Sequence, residues 1–284
     1  TLGIAVLFSI VSIRKNVESS QKISATLASL NNCQSAVRGF LLNAWSDTSF
    51  VKTGSNNELE LFHQESQKFL HNITFLKSHI SSSQVQEVDS IEKEFTALST
   101  DFRRISELIK ERGYKDIGIE GALRAEVHKI ENTSLLNDKS PVLKLRKHEK
   151  DFFLRRDEQY ISKFNADANK LSQLLNELPA SSEKQELQEA LSQYTALFRR
   201  VADIERSIGL NKNSGLKGAI NSHSTKAGQL LSSISTQYNE ATNTLIISVV
   251  SFIVFIFSTI LVVVYIALNK LIKPIFEPME DIQN

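Results

Sequence analysis

The sequence predicts an all-α protein: an elongated up-down-up-down helical bundle of two stacked four-helix modules that continues into a transmembrane helix. Apolar residues recur at three- and four-residue spacing along most of the chain, as on helices with one buried face. The 284 residues include only 10 glycines and 4 prolines, too few for the many turns of a sheet protein of this size. The 41% of hydrophobic residues argue against disorder and are enough for one or two cores.

Charge and cysteine usage argue against several classes of protein. Lys and Arg number 33 against 32 Asp and Glu, so nothing favours nucleic acid as a partner. Cys33 is the single cysteine and cannot form an intrachain disulfide, and no Cys/His cluster has the spacing of a zinc site. The chain also lacks the GxGxxG, GxxxxGK(S/T), HExxH and GxSxG motifs. We therefore expect no catalysis, metal or cofactor in residues 1–284.

An uncharged run near the C-terminus predicts a membrane span. Residues 245–268 carry no charge and are about 36 Å long at about 1.5 Å per residue, enough to cross a hydrocarbon core of about 30 Å. We place this transmembrane helix at 244–268. The apolar residues 1–13 are too short to span and predict the end of a first transmembrane helix, or alternatively the core of a signal peptide.

The flanking charges predict an orientation. Lys270 and Lys273 follow the second span and favour a cytoplasmic C-terminus, although Arg14 and Lys15 after the first span weakly oppose it. Residues 14–243 then lie in the periplasm, and the protein is expected in a bacterial inner membrane with two spans.

Between the spans, apolar stripes mark the helices in order. The first covers 23–44, the second 59–76 and the third 88–109, and a shorter one covers 119–130. The third stripe consists of Val88, Ile91, Phe95, Leu98, Phe102, Ile105 and Ile109. A helix at a core needs such a stripe, so we expect these residues to be buried.

Turn and cap signals divide the rest of the outer segment. Ser140 and Pro141 predict a helix start after 137–139, and Ser182 with Gln185 forms a capping box after Pro179. Long legs are expected at 14–80, ascending, and at 183–243, descending. Each is about 90–100 Å long, as they should be if both meet the membrane.

An internal repeat suggests two modules. Phe102-Arg103-Arg104-Ile105 and Phe198-Arg199-Arg200-Val201 are each followed by a glycine eleven residues after the phenylalanine, at Gly113 and Gly209. Glycine breaks at one shared height would split a long bundle in two. The expected membrane-distal module comprises about 50–112 and 160–208, and the membrane-proximal module about 14–49, 119–159 and 215–243.

Two strings in the outer segment carry a family resemblance. The stretch LRKHEKDFFLRRD at 145–157 and the stretch GIEGALRAEVH at 118–128 resemble the helical bimodular sensor domain of bacterial two-span receptors. The tail NKLIKPIFEPMEDIQN at 269–284 resembles the start of a HAMP linker, which follows the second span in such receptors.

The resemblance implies a function. The family has two stacked bundles, binds small molecules that are often carboxylates, and signals across the membrane as a homodimer. We therefore expect a chemosensory receptor whose output is most simply methyl-accepting chemotaxis. The alternatives are the sensor region of a histidine kinase or a cyclase, sensing through a periplasmic binding protein, or a membrane-anchored scaffold without a ligand.

Charged residues on otherwise apolar stripes give the candidate binding sites. The first candidate is a layer of Arg38, Arg124, Arg146, Glu149 and His223, in which surplus positive charge would bind a small dicarboxylate through bidentate contacts. Its alternative is structural, with Glu149 paired to Arg146 or Arg124. A second candidate pocket near the module junction contains Arg103 and Arg199. No metal ligand is expected.

Overall fold

The predicted all-α class is confirmed. The structure, a computed structural model, describes residues 2–280, with side chains except those of 2–6, 82–83 and 271–280. It is 89% helical, and the part of the chain that it describes contains no strand. All seven residues of the predicted stripe at 88–109 are buried.

Nine α-helices and one 3-10 turn follow one another in the described residues. The 3-10 turn at Ala44–Ser46 follows α1. The helices are α1 (Leu2–Asn43), α2 (Thr48–Thr53), α3 (Asn57–His79), α4 (Ser82–Arg112), α5 (Gly118–Asn132), α6 (Ser140–Arg155), α7 (Glu158–Glu177), α8 (Ser182–Ile208) and α9 (Gly215–Glu280). The N-cap of α8 is Ser181, whose side chain accepts a hydrogen bond from Lys184 N at 3.1 Å. The predicted N-cap, Ser182, is instead the first residue of the helix.

The predicted ascending leg at 14–80 is wrong, because the chain reverses in its middle. α1 ends at Asn43, and α3 returns beside it in the antiparallel direction. Asn43 Nδ2 donates to Glu58 Oε1 at 3.0 Å, and Asn32 Nδ2 donates to Glu65 Oε2 at 3.1 Å. Apolar spacing identifies a helix face but not the direction of the helix, so it does not predict that the chain reverses after Asn43.

The helices pack around two separate cores. The first helix group is α1, α3, α4 and α9, with buried residues from Ile23 to Tyr238. The second helix group is α5, α6, α7 and α8, with buried residues from Leu123 to Ala202. Only Ile204 and Ile208 at the end of α8 belong to the first core.

This division corrects the predicted module boundaries. Residues 50–112 pack with 14–49 and with α9, while residues 160–208 pack with 119–159. The physical reason lies at Gly113 and Gly209, where the chain leaves and re-enters the first helix group with φ of 80° and 116°. A Cβ there would lie 1.9 Å from Ile117 O or 2.0 Å from Ser214 O, so only glycine permits these turns.

The sequence repeat has a structural counterpart. Phe102 packs edge-on against Phe40 in the first core, with ring centroids 5.2 Å apart. Phe198 lies in the second core, with the Phe153 centroid 6.5 Å away. Each copy of the repeat therefore supplies one phenylalanine to a core, and in each copy the chain reaches a glycine turn eleven residues later.

α9 connects the first core to the apolar run. Its residues up to Tyr238 pack in the first helix group, and beyond them an 18-residue window reaches a mean hydropathy of 2.9 with no residue buried. This helix is long and apolar enough to cross a membrane. It continues to Glu280, whereas residues 281–284 of the expected HAMP start lie outside the described residues. Residues 2–13 of the expected first span form the start of α1, and Thr1 is likewise outside. Among the described residues, the helix segment Gly215–Lys270 alone is long and apolar enough to cross a membrane, so the expected first span stays a prediction.

Candidate functional site

The five residues of the predicted charged layer lie in two different helix groups. Arg38 is on α1 and His223 on α9, both in the first group. Arg124 is on α5, while Arg146 and Glu149 are on α6, all in the second group. The expected single layer is therefore not formed. α5 packs its apolar stripe on α8 instead of returning to α1.

Arg38 and His223 both contact polar residues of the first group. Arg38 Nη2 donates to Gln34 Oε1 at 3.3 Å, and the Gln34 amide donates to Ser224. His223 Nδ1 lies 2.6 Å from Glu94 Oε2 on α4. This hydrogen bond lowers the pKa of Glu94 below its usual range. His223 is thus engaged with an acidic side chain of the protein itself.

In the second group, Arg146 and Glu149 form a closed buried network. Arg146 Nη1 donates to both carboxylate oxygens of Glu149, at 2.8 and 3.0 Å, and its Nε lies 3.3 Å from Glu131. The hydroxyl of Tyr194 donates to the same carboxylate. Burial raises the pKa of Glu149, which is only 4% exposed. These contacts realise the structural alternative, in which Glu149 pairs with Arg146.

Arg124 stands apart from that network. Its Nη1 lies 3.6 Å from Asp116, a largely exposed carboxylate in the turn before α5. Such an exposed pair contributes little to stability. Arg124 is therefore at the edge of the second group and not inside a charged pocket.

A groove between α7 and α8 contains the second predicted candidate, Arg199. The cavity measures about 320 Å³, within the size range of small-molecule sites. Ala168 and Ser172 of α7 face Ser192 and Ala196 of α8, and these small side chains leave the space open. Arg199 Nε donates to Asn165 Oδ1 at 3.1 Å, and no acidic side chain of the described residues pairs with its guanidinium.

Arg103, the other member of that candidate, is not in the groove. It lies exposed on α4, in the first helix group, and makes no ion pair with a described residue. The repeat placed the two arginines at equivalent positions of two different cores. The sequence comparison of 102–105 with 198–201 could not reveal that these cores are separate.

A buried charged cluster at the junction of the two helix groups was not predicted. Arg112 of α4 is 7% exposed and Glu205 of α8 is 2% exposed. Arg112 Nε lies 3.2 Å from Glu205 Oε1, and Arg156 Nε lies 3.2 Å from Oε2 of the same carboxylate. Arg112 Nη2 also lies 3.3 Å from Glu120 on α5. Both helix groups supply members of this cluster, so it joins them.

Trp45 forms the base of the junction cluster, with three cations over its ring. The distances to the ring centroid are 5.0 Å from Arg112 Cζ, 4.7 Å from Arg156 Cζ and 5.8 Å from Lys217 Nζ. Burial, with Arg156 nearby, lowers the pKa of Lys217. The sequence signal for this cluster is Glu205, a charged residue directly after Ile204 and one turn from Ile208 on a buried stripe.

Neither metal chemistry nor relatives add to this description. Among the residues whose side chains the structure describes, no group of three or more His, Cys, Asp or Glu is arranged to hold a metal ion. Comparison with protein-family models and with curated protein sequences gives no match for this chain. The candidate functions therefore rest on the groove, the junction cluster and α9.

Proposed function

We propose that this chain is the sensory region of a two-span transmembrane receptor in a bacterial inner membrane, whose periplasmic helix groups are stacked along the membrane normal and bind a small organic acid. The observation that carries the proposal is α9. One unbroken helix begins at Gly215 beside the junction cluster, supplies core residues from Ile220 to Tyr238 and enters the apolar run. A helix of this kind can transmit a displacement or rotation through a membrane.

The groove between α7 and α8 is the preferred ligand site. Arg199 offers a guanidinium without an acidic partner among the described residues, and a carboxylate is its natural bidentate partner. The Arg146–Glu149 network is already satisfied by internal contacts, so a ligand there would have to displace Glu149 or Tyr194. The hydroxyl and amide groups of Ser172, Ser192 and Asn169 line the same groove and can bind further oxygens of the acid.

The contacts of the junction cluster connect the groove on α8 to α9. On α8, Glu205 lies about 9 Å beyond Arg199, at about 1.5 Å per residue. A shift of α8 on ligand binding would move the Glu205 carboxylate against Arg112 and Arg156, and both cations share the Trp45 ring with Lys217 of α9. A coupling of about 1–3 kcal/mol is enough to change output about 5- to 150-fold.

The ligand proposal is tested by thermal unfolding of the detergent-solubilised chain with a panel of mono-, di- and tricarboxylates. A bound acid at about 100 times its dissociation constant should stabilise the protein by about 2.7 kcal/mol. R199A should abolish the shift, whereas the matched control R103A, on the equivalent position of the repeat, should keep it. If no acid stabilises the protein, the ligand-free scaffold or a periplasmic binding protein becomes the better hypothesis. An equal response of both variants would reject the Arg199 site.

The output is tested by a chimeric receptor. The tail at 269–284 resembles the start of a HAMP linker and supports an output of the methyl-accepting type, with kinase and cyclase outputs as alternatives. Residues 1–284 joined to the signalling part of a chemotaxis receptor should give swimming responses to the acid identified above. The R199A chimera should give no swimming response to that acid but should still support reversals in its absence. A chimera that is locked in one state for all acids would contradict signalling through α9.

A further inference from the structure

The end of the first helix group nearest the apolar run contains a second, separate pocket. It measures about 250 Å³ and lies between α1, the α3–α4 turn and α9. The residues that matter for its chemistry are Lys15, Asn16, His79, Gln84, Gln237 and Tyr238.

The register of α1 and α9 fixes the height of this pocket. Ser20 Oγ donates to Asn239 Oδ1 at 2.9 Å, and the two helices are antiparallel, so Lys15 is level with Thr244. The uncharged run begins at the next residue, Leu245. The pocket residue Tyr238 lies about 10 Å further from the membrane core, at about 1.5 Å per residue. Since the headgroup region adds roughly 5–8 Å on each side of a bilayer, the pocket extends through the headgroup layer.

The pocket offers a cation without a partner. Lys15 is exposed and makes no hydrogen bond or ion pair with any described residue. In contrast, Lys77 on the neighbouring α3 is held by Asp89 and Glu92, each at 2.6 Å. The nearest acids along α1 and α9, Glu18 and Glu240, do not line the pocket. No described acidic side chain lines the pocket, so an anion bound there would meet the Lys15 ammonium with no carboxylate in the lining.

The other pocket walls suit a lipid headgroup. Gln84 Nε2 donates to Gln237 Oε1 at 2.9 Å, so the start of α4 is tied to α9 beside the pocket. His79 stacks on Phe75 with ring centroids 3.9 Å apart, and its Nδ1 lies 2.9 Å from Phe75 O. Tyr238 is mostly buried and presents the kind of aromatic ring with a polar end that proteins place at membrane interfaces.

We propose that this pocket binds the phosphate of an anionic membrane lipid, with the Lys15 ammonium donating to the phosphate oxygens. The lipid would fix the membrane end of α1 against α9 and the α3–α4 turn. This function goes beyond acid sensing. It depends on the membrane span of α9 but not on the receptor role.

Native mass spectrometry of the full chain in detergent, titrated with phosphatidylglycerol, tests the site. Loss of a charge-assisted contact should weaken binding of the first lipid roughly 10-fold in K15Q. Arg14 is the matched control, because it is also cationic and at the same height but does not line the pocket. R14Q should bind the first lipid as the original chain does. Equal weakening in both variants would show general surface attraction and overturn the pocket.

Two further measurements distinguish a lipid phosphate from a free phosphate ester, and the lipid site from the membrane span on which it depends. Phosphatidylcholine should bind at least 10-fold more weakly than phosphatidylglycerol. Glycerol 3-phosphate should not compete at equal concentration, because it lacks the acyl chains that hold the headgroup at this height. Effective competition by glycerol 3-phosphate would overturn the lipid assignment in favour of a free phosphate ester. A chain that does not enter lipid nanodiscs would overturn the span and this site together, whereas a chain that inserts but binds no lipid selectively overturns the site alone.

Discussion

Arg112 and Glu205 form an ion pair across the junction of the two helix groups, with Nε and Oε1 3.2 Å apart and both side chains nearly buried. Removal of one member of such a pair leaves the other as an uncompensated buried charge, which is costly. The pair therefore couples the position of α8 to that of α4.

The first prediction concerns this ion pair. E205Q keeps the shape of the side chain but leaves Arg112 and Arg156 without their shared counter-charge. We expect the free energy of unfolding to fall by about 3–5 kcal/mol, measured by circular dichroism in detergent. The control is E111Q, which breaks the exposed pair with Arg200 and should cost less than about 1 kcal/mol. Similar losses in both variants would contradict a special role for the junction.

The second prediction concerns the second core. Phe198 stacks on Phe164 with ring centroids 3.9 Å apart and meets Phe152 edge-on at 5.7 Å. F198A should lower the free energy of unfolding by about 3–5 kcal/mol because it leaves a cavity among these rings. L154A removes a leucine that is 80% exposed and should change it by less than about 0.5 kcal/mol.

The third prediction concerns two glycines whose replacement by alanine should change the free energy of unfolding in opposite directions. G209A places a Cβ 2.0 Å from Ser214 O at a φ of 116°, so it should cost at least about 1–3 kcal/mol. Gly228 lies inside α9, and a Cβ there would meet only Leu30 Cδ2 at 3.9 Å. G228A should instead stabilise the protein by up to about 1 kcal/mol through helix propensity. Thermal unfolding of the two variants distinguishes the signs.

The fourth prediction concerns pH. The hydrogen bond from His223 lowers the pKa of Glu94 from its usual 4.5, and Lys226 and Lys93 act in the same direction. A carboxylate with a lowered pKa stabilises the folded state above its unfolded pKa, and this contribution is lost as the pH falls through its folded pKa. E94Q should therefore show a shallower loss of stability below pH 4.5 than the original chain. Asp101, 3.7 Å from His223 Nε2, remains in place in this variant. E60Q, an exposed control on α3, should keep the original profile.

The fifth prediction concerns the homodimer that the family resemblance implies. Leu27, Gln34, Gly228 and Ser232 line an open groove between α1 and α9 whose small residues allow close approach of a second copy. A cysteine at Ser232 or Ser235 should cross-link between subunits in membranes. The native Cys33 should stay silent, because burial raises the pKa of its thiol to about 11. A cysteine at Ser90 on α4 is the negative control, and a scan of 228–243 without cross-links would place the interface elsewhere.

The helices could be predicted from the sequence because the buried face of each helix requires apolar residues at three- and four-residue spacing. Leu123, Val127 and Ile130 were expected on one stripe of α5, and all three are buried. The same spacing does not indicate which other helix an apolar stripe packs against. α5 was therefore assigned to the wrong module, since the partner is determined by the turns at Gly113 and Gly209.

The candidate site was less predictable for an electrostatic reason. Arg38, Arg146 and His223 all looked like unneutralised charges on apolar stripes, but each has polar partners that come from another helix or from the next turn. A charge is buried only together with its partners, and those partners are distant in sequence for Glu205 and Arg112. The junction cluster therefore needed the tertiary structure.

The junction has one more consequence. Arg112 and Lys217 both reach the Trp45 ring, at 5.0 and 5.8 Å, so the chain leaves α4 and enters α9 at neighbouring points. The second helix group is thus an insertion joined to the first by two neighbouring backbone segments. Its excision with a short replacement turn would keep most of the first core but would remove Glu205, the counter-charge of Arg112. The excision would remove Ile204 and Ile208 from the buried part of that core and Tyr114, Ile117 and Ile119 from its partly buried edge. A shortened protein and a full-length one would then share the same first helix group and the same continuation into α9.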